Sequence, residues 1–342
     1  MSRNLTVLLG LLAVLLLLIV VATGLGYIHI PVGQVLQILA ARLIDSQIPA
    51  DLGDKFTVVI YDIRLPRILT AALVGGGLAV AGGVFQSLLL NPLADPYTLG
   101  VSSGAAFGAS LAILLTLFGI NIPTIWTVPV FAFIGAILTL MAVFSLSSKD
   151  SRLSSNTLIL AGVIVAAILS AGIGFIKYLA DEEVSIIIFW LMGSLVGKSW
   201  QEAQLVFLIS LPCLLVILYY ARDLNIMALG TRTADSLGVE TLHVRKILLV
   251  AATLITAGCV AVSGIIGFIG LIIPHLLRMI LGPDNRILLP ASFLAGAILL
   301  LGADTLTRAV LPHEIPIGVL TALIGGPFFC YIFRRRQLGR GL

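Results

Sequence analysis

Charge is what this sequence lacks most. Of its 342 residues only 11% are Asp, Glu, Lys or Arg, against the roughly 25% a soluble domain carries. So sparse an ionic surface cannot keep a chain of this size in water, and the sequence reads as an integral membrane protein. Cysteine is scarce too. Cys213, Cys259 and Cys330 stand singly in apolar runs, which excludes a disulfide framework and a CxxC metal site. The four histidines (His29, His243, His275, His313) show no H-x-x-x-H spacing, so no metal site is expected. No Ser or Cys nucleophile sits in a local motif with a base; the chain is expected to be no enzyme and to hold no cofactor of its own. The net charge of +4 is spread beside apolar runs instead of forming a stripe, which gives no sign of nucleic acid.

Apolar sequence is there in abundance: 59% of the chain, with mean hydropathy +1.15. The run LTVLLGLLAVLLLLIVVA (5–22) falls in the range of about 17–25 residues that crosses a bilayer. Arg3 precedes it, as in a signal peptide, but the core is too long and no A-x-A site follows, so a retained span is expected. Apolar length and Pro, Gly and charge punctuation predict ten helical spans, at about 5–27, 66–90, 98–118, 127–146, 157–179, 203–221, 246–263, 267–281, 287–307 and 315–333. AVSGIIGFIGLIIP, at the seventh and eighth, also reads as one bent segment. No internal repeat or soluble domain stands out; 1–342 reads as a single transmembrane domain.

Positive charge orients the spans. With the N-terminus inside, 13 of the 20 basic residues are cytoplasmic: Arg3, Lys149, Arg152, Arg222, Arg232, Arg245, Lys246, Arg278, Arg286, Arg334, Arg335, Arg336 and Arg340. The other seven (Arg42, Lys55, Arg64, Arg67, Lys177, Lys198, Arg308) fall outside. Both termini are therefore expected in the cytoplasm. Two outer segments follow, 28–62 with a short helix near 32–42, and 180–201. One long cytoplasmic loop remains, at about 222–246.

The second outer segment contains GSLVGKS (193–199), close to a phosphate-binding loop. That loop needs four residues between its glycines and a strand-to-helix setting. Here there are three, no strand precedes, and Lys198 is on the outer side. The stretch is expected to be a turn, and ATP hydrolysis to belong to another chain.

Several constellations have a structural and a functional reading. Gly100, Gly104 and Gly108 line one helix face, and 75–83 is almost all small residues; both suit close helix packing. NPLADPY (91–97) has two prolines four apart, which a regular helix does not accommodate; it is either a tight inner turn or an irregular constriction lining a pathway. Arg64 and Arg67 flank Pro66 at one helix mouth and Arg308 ends the ninth span. They either snorkel to headgroups or receive acidic side chains of an external partner. NIMALGTRTADSLGV (225–239) reads as a short amphipathic helix, a glycine break and a second helix, serving as a solvated connection or a docking surface. Lys177, His275, Asp304, His313 and Glu314 are the few polar residues near membrane depth. Asp304 is the one acid that an ion-driven carrier could use.

Together these segments resemble one family. RLPRILTAALVGGGLAVAGGVFQSLLLNPLADPYTLGVSSGAAFGA, ALGTRTADSLGV, GIIGFIGLIIPHLLRMILGPDNRILLP and EIPIGVLTALIGGPFF are similar, in order and spacing from about Arg64 to the C-terminus, to FecCD permeases. These are membrane subunits of ATP-driven importers for iron–siderophores, haem and cobalamin. The resemblance implies an all-α, ten-helix type II ABC importer permease in a bacterial cytoplasmic (inner) membrane. It implies two cytosolic ATP-binding subunits, an extracytoplasmic substrate-binding protein and a second permease copy, most simply in a homodimer within membrane lipid. It assigns Arg64, Arg67 and Arg308 to binding-protein docking, and Asn91 and Leu93, with Ser155 and Asn156, to a cytoplasmic gate. It assigns Ala228, Leu229, Gly230, Thr231, Arg232, Ala234, Leu237 and Gly238 to coupling with the ATPases. The substrate is left open among iron–siderophore, haem and vitamin B12. An ion-driven carrier and a structural subunit of a membrane enzyme complex are the competing classes.

Overall fold

The computed structural model describes residues 2–26, 28, 30–43, 53–120, 126–148, 153–310 and 313–338. His29, Lys149, Arg152 and Arg340 lie outside the described residues, as do the side chains of Arg3, Arg42, Lys55, Arg335 and Arg336. Among the described residues the secondary structure is entirely helical. In chain order the helices are α1 (Ser2–Gly24), α2 (Val32–Leu43), α3 (Gly53–Val58), a π-turn (Val59–Arg64), α4 (Leu65–Leu88), α5 (Val101–Leu117), α6 (Thr127–Leu146) and α7 (Ser155–Ala180). A 3-10 turn (Asp181–Glu183) then leads to α8 (Val184–Leu191), α9 (Trp200–Tyr219), α10 (Ala221–Met227), α11 (Thr231–Ser236), α12 (Thr241–Ser263), α13 (Ile269–Leu281), α14 (Asn285–Val310) and α15 (Ile317–Leu338).

All ten expected spans are present, as α1, α4–α7, α9 and α12–α15. Seven stretches of described helix are long and apolar enough to cross a bilayer, while α5, α13 and the apolar part of α15 are shorter. Helix α12 begins at Thr241, five residues before the expected boundary, so Arg245 and Lys246 belong to a helix and not to the loop. AVSGIIGFIGLIIP resolves into two helices with residues 264–268 non-helical between them.

Helix α4 is the axis. Nearly all its side chains are buried, and α9, α12, α13 and α14 pack around it. Its small residues make this possible. Gly75 lies against the Gly296 carbonyl and Gly296 against that of Gly75, so neither position has room for a methyl. The glycine face of α5 works the same way: Gly104 packs on Gly135 and Gly108 on Phe131, both on α6. Helix α1 leans on α14 and leaves most of its apolar side chains outward, as a lipid-facing span does. A satellite cluster of Ile30, Val35, Ile38 and Ile60 joins α2 to the π-turn.

Candidate functional site: an arginine end, a broken middle and an amide end

At one end of α4, three arginines each bond to acceptors within the chain. Arg64 donates to the carbonyls of Thr23, at 2.7 Å, and of Ile28. Arg308 donates to Ala22 O at 2.7 Å. Both cations thereby cap the last turn of α1, where orphan carbonyls and the negative end of the helix dipole favour positive charge. Arg67 forks between two carboxylates: Nη2 and Nε to Asp304 at 2.8 and 3.1 Å, Nη1 and Nη2 to Glu314 at 3.1 and 2.8 Å. Asp304 is 1% exposed and Glu314 39%. The expected trio is thus brought together, but each member already has internal partners; Arg308 alone keeps a buried Nε without one. Asp304, the acid a carrier could have used, is the counter-ion of Arg67.

GSLVGKS lies near this end, and its glycines and serines have structural roles there. Gly193 and Gly197 take φ of +73° and +69°, the left-handed region that favours glycine. The Ser194 N–H donates to Ser263 O at 2.7 Å. Ser199 caps α9 in a capping box with Glu202, whose carboxylate accepts from Ser199 N at 2.9 Å. Burial lowers the pKa of Lys198. In sequence 180–201 reads as an outer segment with no helix, yet the fold has α8 there. Helix α8 folds back against α5 and α7, and its end meets α15, Gly318 N donating to Met192 O at 3.1 Å.

The middle of the bundle is broken twice. Cys259 of α12 lies beside Val74, and Gly270 of α13 lies against Gly82. Over that interval, about 12 Å along α4, the chain leaves helix at 264–268, with Phe268 at φ +69°. The second break is 89–100, containing NPLADPY. It rises beside α7 until Leu99 touches Gly162. Tyr97 joins the two: its hydroxyl donates to Ile266 O at 2.7 Å and accepts from Ile266 N at 3.3 Å. Unwound backbone within a bundle needs such partners because no water supplies them. Asp95 shapes its own loop, Oδ1 accepting from Tyr97 N and Thr98 Oγ1 at 3.0 and 2.9 Å.

The four residues that the resemblance assigns to a gate lie at the start of this second break and at the start of α7. Asn91 Oδ1 accepts from Leu93 N at 2.9 Å, and the Leu93 side chain is exposed. Ser155 and Asn156 open α7, after Ser154 has capped it. Gly162 on Thr98–Leu99 sets the first turns of α7 beside the 91–97 loop.

The residues that the resemblance assigns to coupling lie in α11 and in the turns on either side of it, with Gly230 separating α11 from α10 as the glycine break implied. Leu229 and Leu237 are exposed, Ala234 is buried, and Gly238, at φ +85°, stops α11. A chain of amides and hydroxyls runs inward from this pair. Asn225 Oδ1 accepts from Asn285 N and Nδ2, both at 2.8 Å, and Asn225 Nδ2 donates to Asp284 at 2.7 Å. Asn285 Oδ1 accepts from Ser87 Oγ at 3.0 Å. Arg278 donates to Ser87 Oγ at 3.2 Å and to Gln86 Oε1 at 3.1 Å. Gln86 Nε2 reaches Leu271 O at 3.0 Å, one turn past the unwound segment. Hydrogen bonds from Arg286, then from Asn225, hold the Asp284 carboxyl at about 2. The sequence reading missed Asn225, Asn285, Ser87, Gln86 and Tyr97 as a group. Scarce polar residues in apolar runs were their only signal.

Comparison with known proteins agrees with this architecture. The model of the FecCD transport family matches residues 14–335. The cobalamin import system permease protein BtuC of Halobacterium salinarum is 41% identical over 281 residues, 82% of this chain and 74% of that protein. The hemin transport system permease protein HmuU of Yersinia pestis is 41% identical over 287 residues, covering 83% of this chain and 86% of that protein. A solved metal-chelate type ABC transporter in an inward-facing conformation superposes with a TM-score of 0.84 at 35% identity, over 96% of this chain and 99% of that one.

Proposed function

Because the chain belongs to the FecCD transport family, we propose that it is the pathway-forming permease of an importer for an iron–siderophore or similar bulky metal chelate. Two ATP-binding subunits would supply the energy, a binding protein the substrate, and a second copy of this chain the other half of the path. The amide end then faces the cytoplasm of a bacterial inner membrane, with both termini, and the arginine end faces outward.

The observation that carries this reading is the connection between an exposed surface and an unwound core. Leu229 and Leu237 offer apolar anchors to a partner, and Asn225, behind them, starts the chain of bonds that ends at Leu271. A push on α10–α11 therefore bears on α13 and on the break above it. Only differential contacts in two states let ATP shift the path between inward and outward access. On this reading Asn91, Leu93, Ser155 and Asn156 would form the cytoplasmic gate. The engagement of Asp304 with Arg67 counts against an ion-driven carrier, which needs a carboxylate free to bind its ion. For Arg64, Arg67 and Arg308, docking of a binding protein means exchanging internal acceptors for the partner's carboxylates.

The choice of iron–siderophore over cobalamin is tested by purifying the cognate binding protein and identifying the ligand it retains. A ferric chelate supports the reading; a corrinoid overturns that choice while leaving the permease assignment standing. Uptake into vesicles that needs a proton gradient but neither ATP nor the ATPase would overturn the importer reading itself.

A further inference from the structure

Helices α9 and α12 leave a groove of about 450 Å³ on the bundle's flank, at the Asn225 end. Its floor is apolar: Pro212, Val216, Ile247, Val250 and Leu254. Its mouth is basic: His243 and Lys246, one turn apart and exposed, with no carboxylate among the lining residues. From Lys246 to Leu254 the groove spans about 12 Å of helix, close to the depth of half a hydrocarbon core of about 30 Å. Helix α9 is outward-facing for most of its length, so none of the described helices covers the groove, and its depth matches that of one leaflet.

We propose that this groove holds an anionic phospholipid of the leaflet at the Asn225 end, its phosphate on Lys246 and His243 and one acyl chain along Val250 to Leu254. Charge complementarity selects the occupant. A zwitterionic lipid would fill the apolar floor equally well but would draw less from two neighbouring donors on one helix face. The other groove on the α9–α12 seam is a built-in control. It has a similar cavity of about 490 Å³, yet Trp126, Gln201 and Gln204 stand at its polar end, with no cation. That groove should take lipid without regard to headgroup charge. A proline lies on the wall of this groove. Pro212 lies inside α9, where it has no backbone N–H to donate, and lines the groove with Val250 and Ala251.

The test is native mass spectrometry of the full-length permease in detergent, titrated in turn with phosphatidylglycerol and phosphatidylcholine of the same acyl chains. The wild type should retain phosphatidylglycerol several-fold more. Lys246→Gln should cut that preference about fivefold, the factor corresponding to about 1 kcal/mol per basic residue near an anionic surface. Val250→Trp should reduce retention of both lipids by filling the floor. Arg334→Glu, an exposed cation on α15, should change neither. A preference that survives Lys246→Gln in a protein of unchanged Tm overturns the proposal, and so does equal retention of the two lipids by the wild type.

Discussion

The two ends of α4 solve the problem of polar groups in an apolar bundle in opposite ways. At the arginine end, charge meets charge: Arg67 is forked between Asp304 and Glu314, and two more cations cap α1. At the amide end the links through Asn225, Asn285, Ser87 and Gln86 are mostly between neutral groups, with Arg278 bonding to uncharged acceptors. A buried ion pair is costly to break, because each half then stands desolvated and alone. A neutral hydrogen bond is worth about 0.5–1.5 kcal/mol net and can be exchanged for another. One end is therefore fastened; the other can be rearranged by a partner. The unwound segments sit between the two.

Breaking the fastened end should have the largest effect. Arg67→Ala leaves Asp304 buried without its cation and should cost about 3–5 kcal/mol, seen as a collapse of Tm and yield. Arg67→Ala with Asp304→Ala should recover part of that loss; a double variant no better than the single one would mean that the pair is not the fastening. At the amide end, Asn285→Ala removes one of the two bonds to Asn225 Oδ1 and the acceptor of the Ser87 hydroxyl, at about 1–3 kcal/mol. Its signature should differ: ATP hydrolysis by the assembled transporter persists while uptake falls about tenfold. Proportional loss of both would show that these bonds do not link hydrolysis to transport.

In the middle, Tyr97→Phe deletes both bonds to Ile266 but keeps the ring. The expected result is faster amide exchange at 264–268, corresponding to about 1–2 kcal/mol of lost protection, with the rest of the bundle unchanged. Unaltered exchange there would show that other contacts hold the break. Glu314→Gln should be mildest, within about 1 kcal/mol, since its pair with Arg67 is partly open to solvent. If it destabilises as much as Arg67→Ala, Glu314 and not Asp304 is the principal counter-ion.

Much of this was legible in the sequence, and what was not has a common cause. The spans show in apolar length; the α10–α11 pair shows in Gly230 and in leucines at Leu229 and Leu237; close packing shows in the glycines of α4 and α5. These are local signals. The partners of the arginines are not local: Asp304 is 237 positions from Arg67, and Asn285 is 60 from Asn225. Charge at helix mouths suggested free cations because a single sequence does not reveal which acid faces which base. Helix α8 escaped notice because VSIIIFWL is too short for a span and was absorbed into an outer segment. The break at 264–268 was half visible, in two glycines within an otherwise unbroken apolar run.

The distance between Arg67 and Asp304 along the chain also sets a schedule. At about 5–20 residues per second of synthesis, roughly 10–50 s separate the emergence of Arg67 from that of its counter-ion. Throughout that interval α4, the future axis, sits in the membrane with its glycine face uncovered by α14 and a cation at its mouth unpaired. A nascent permease is therefore incomplete until α14, its ninth span, inserts, and a chain truncated before that point keeps the glycine face of α4 uncovered and its cation unpaired.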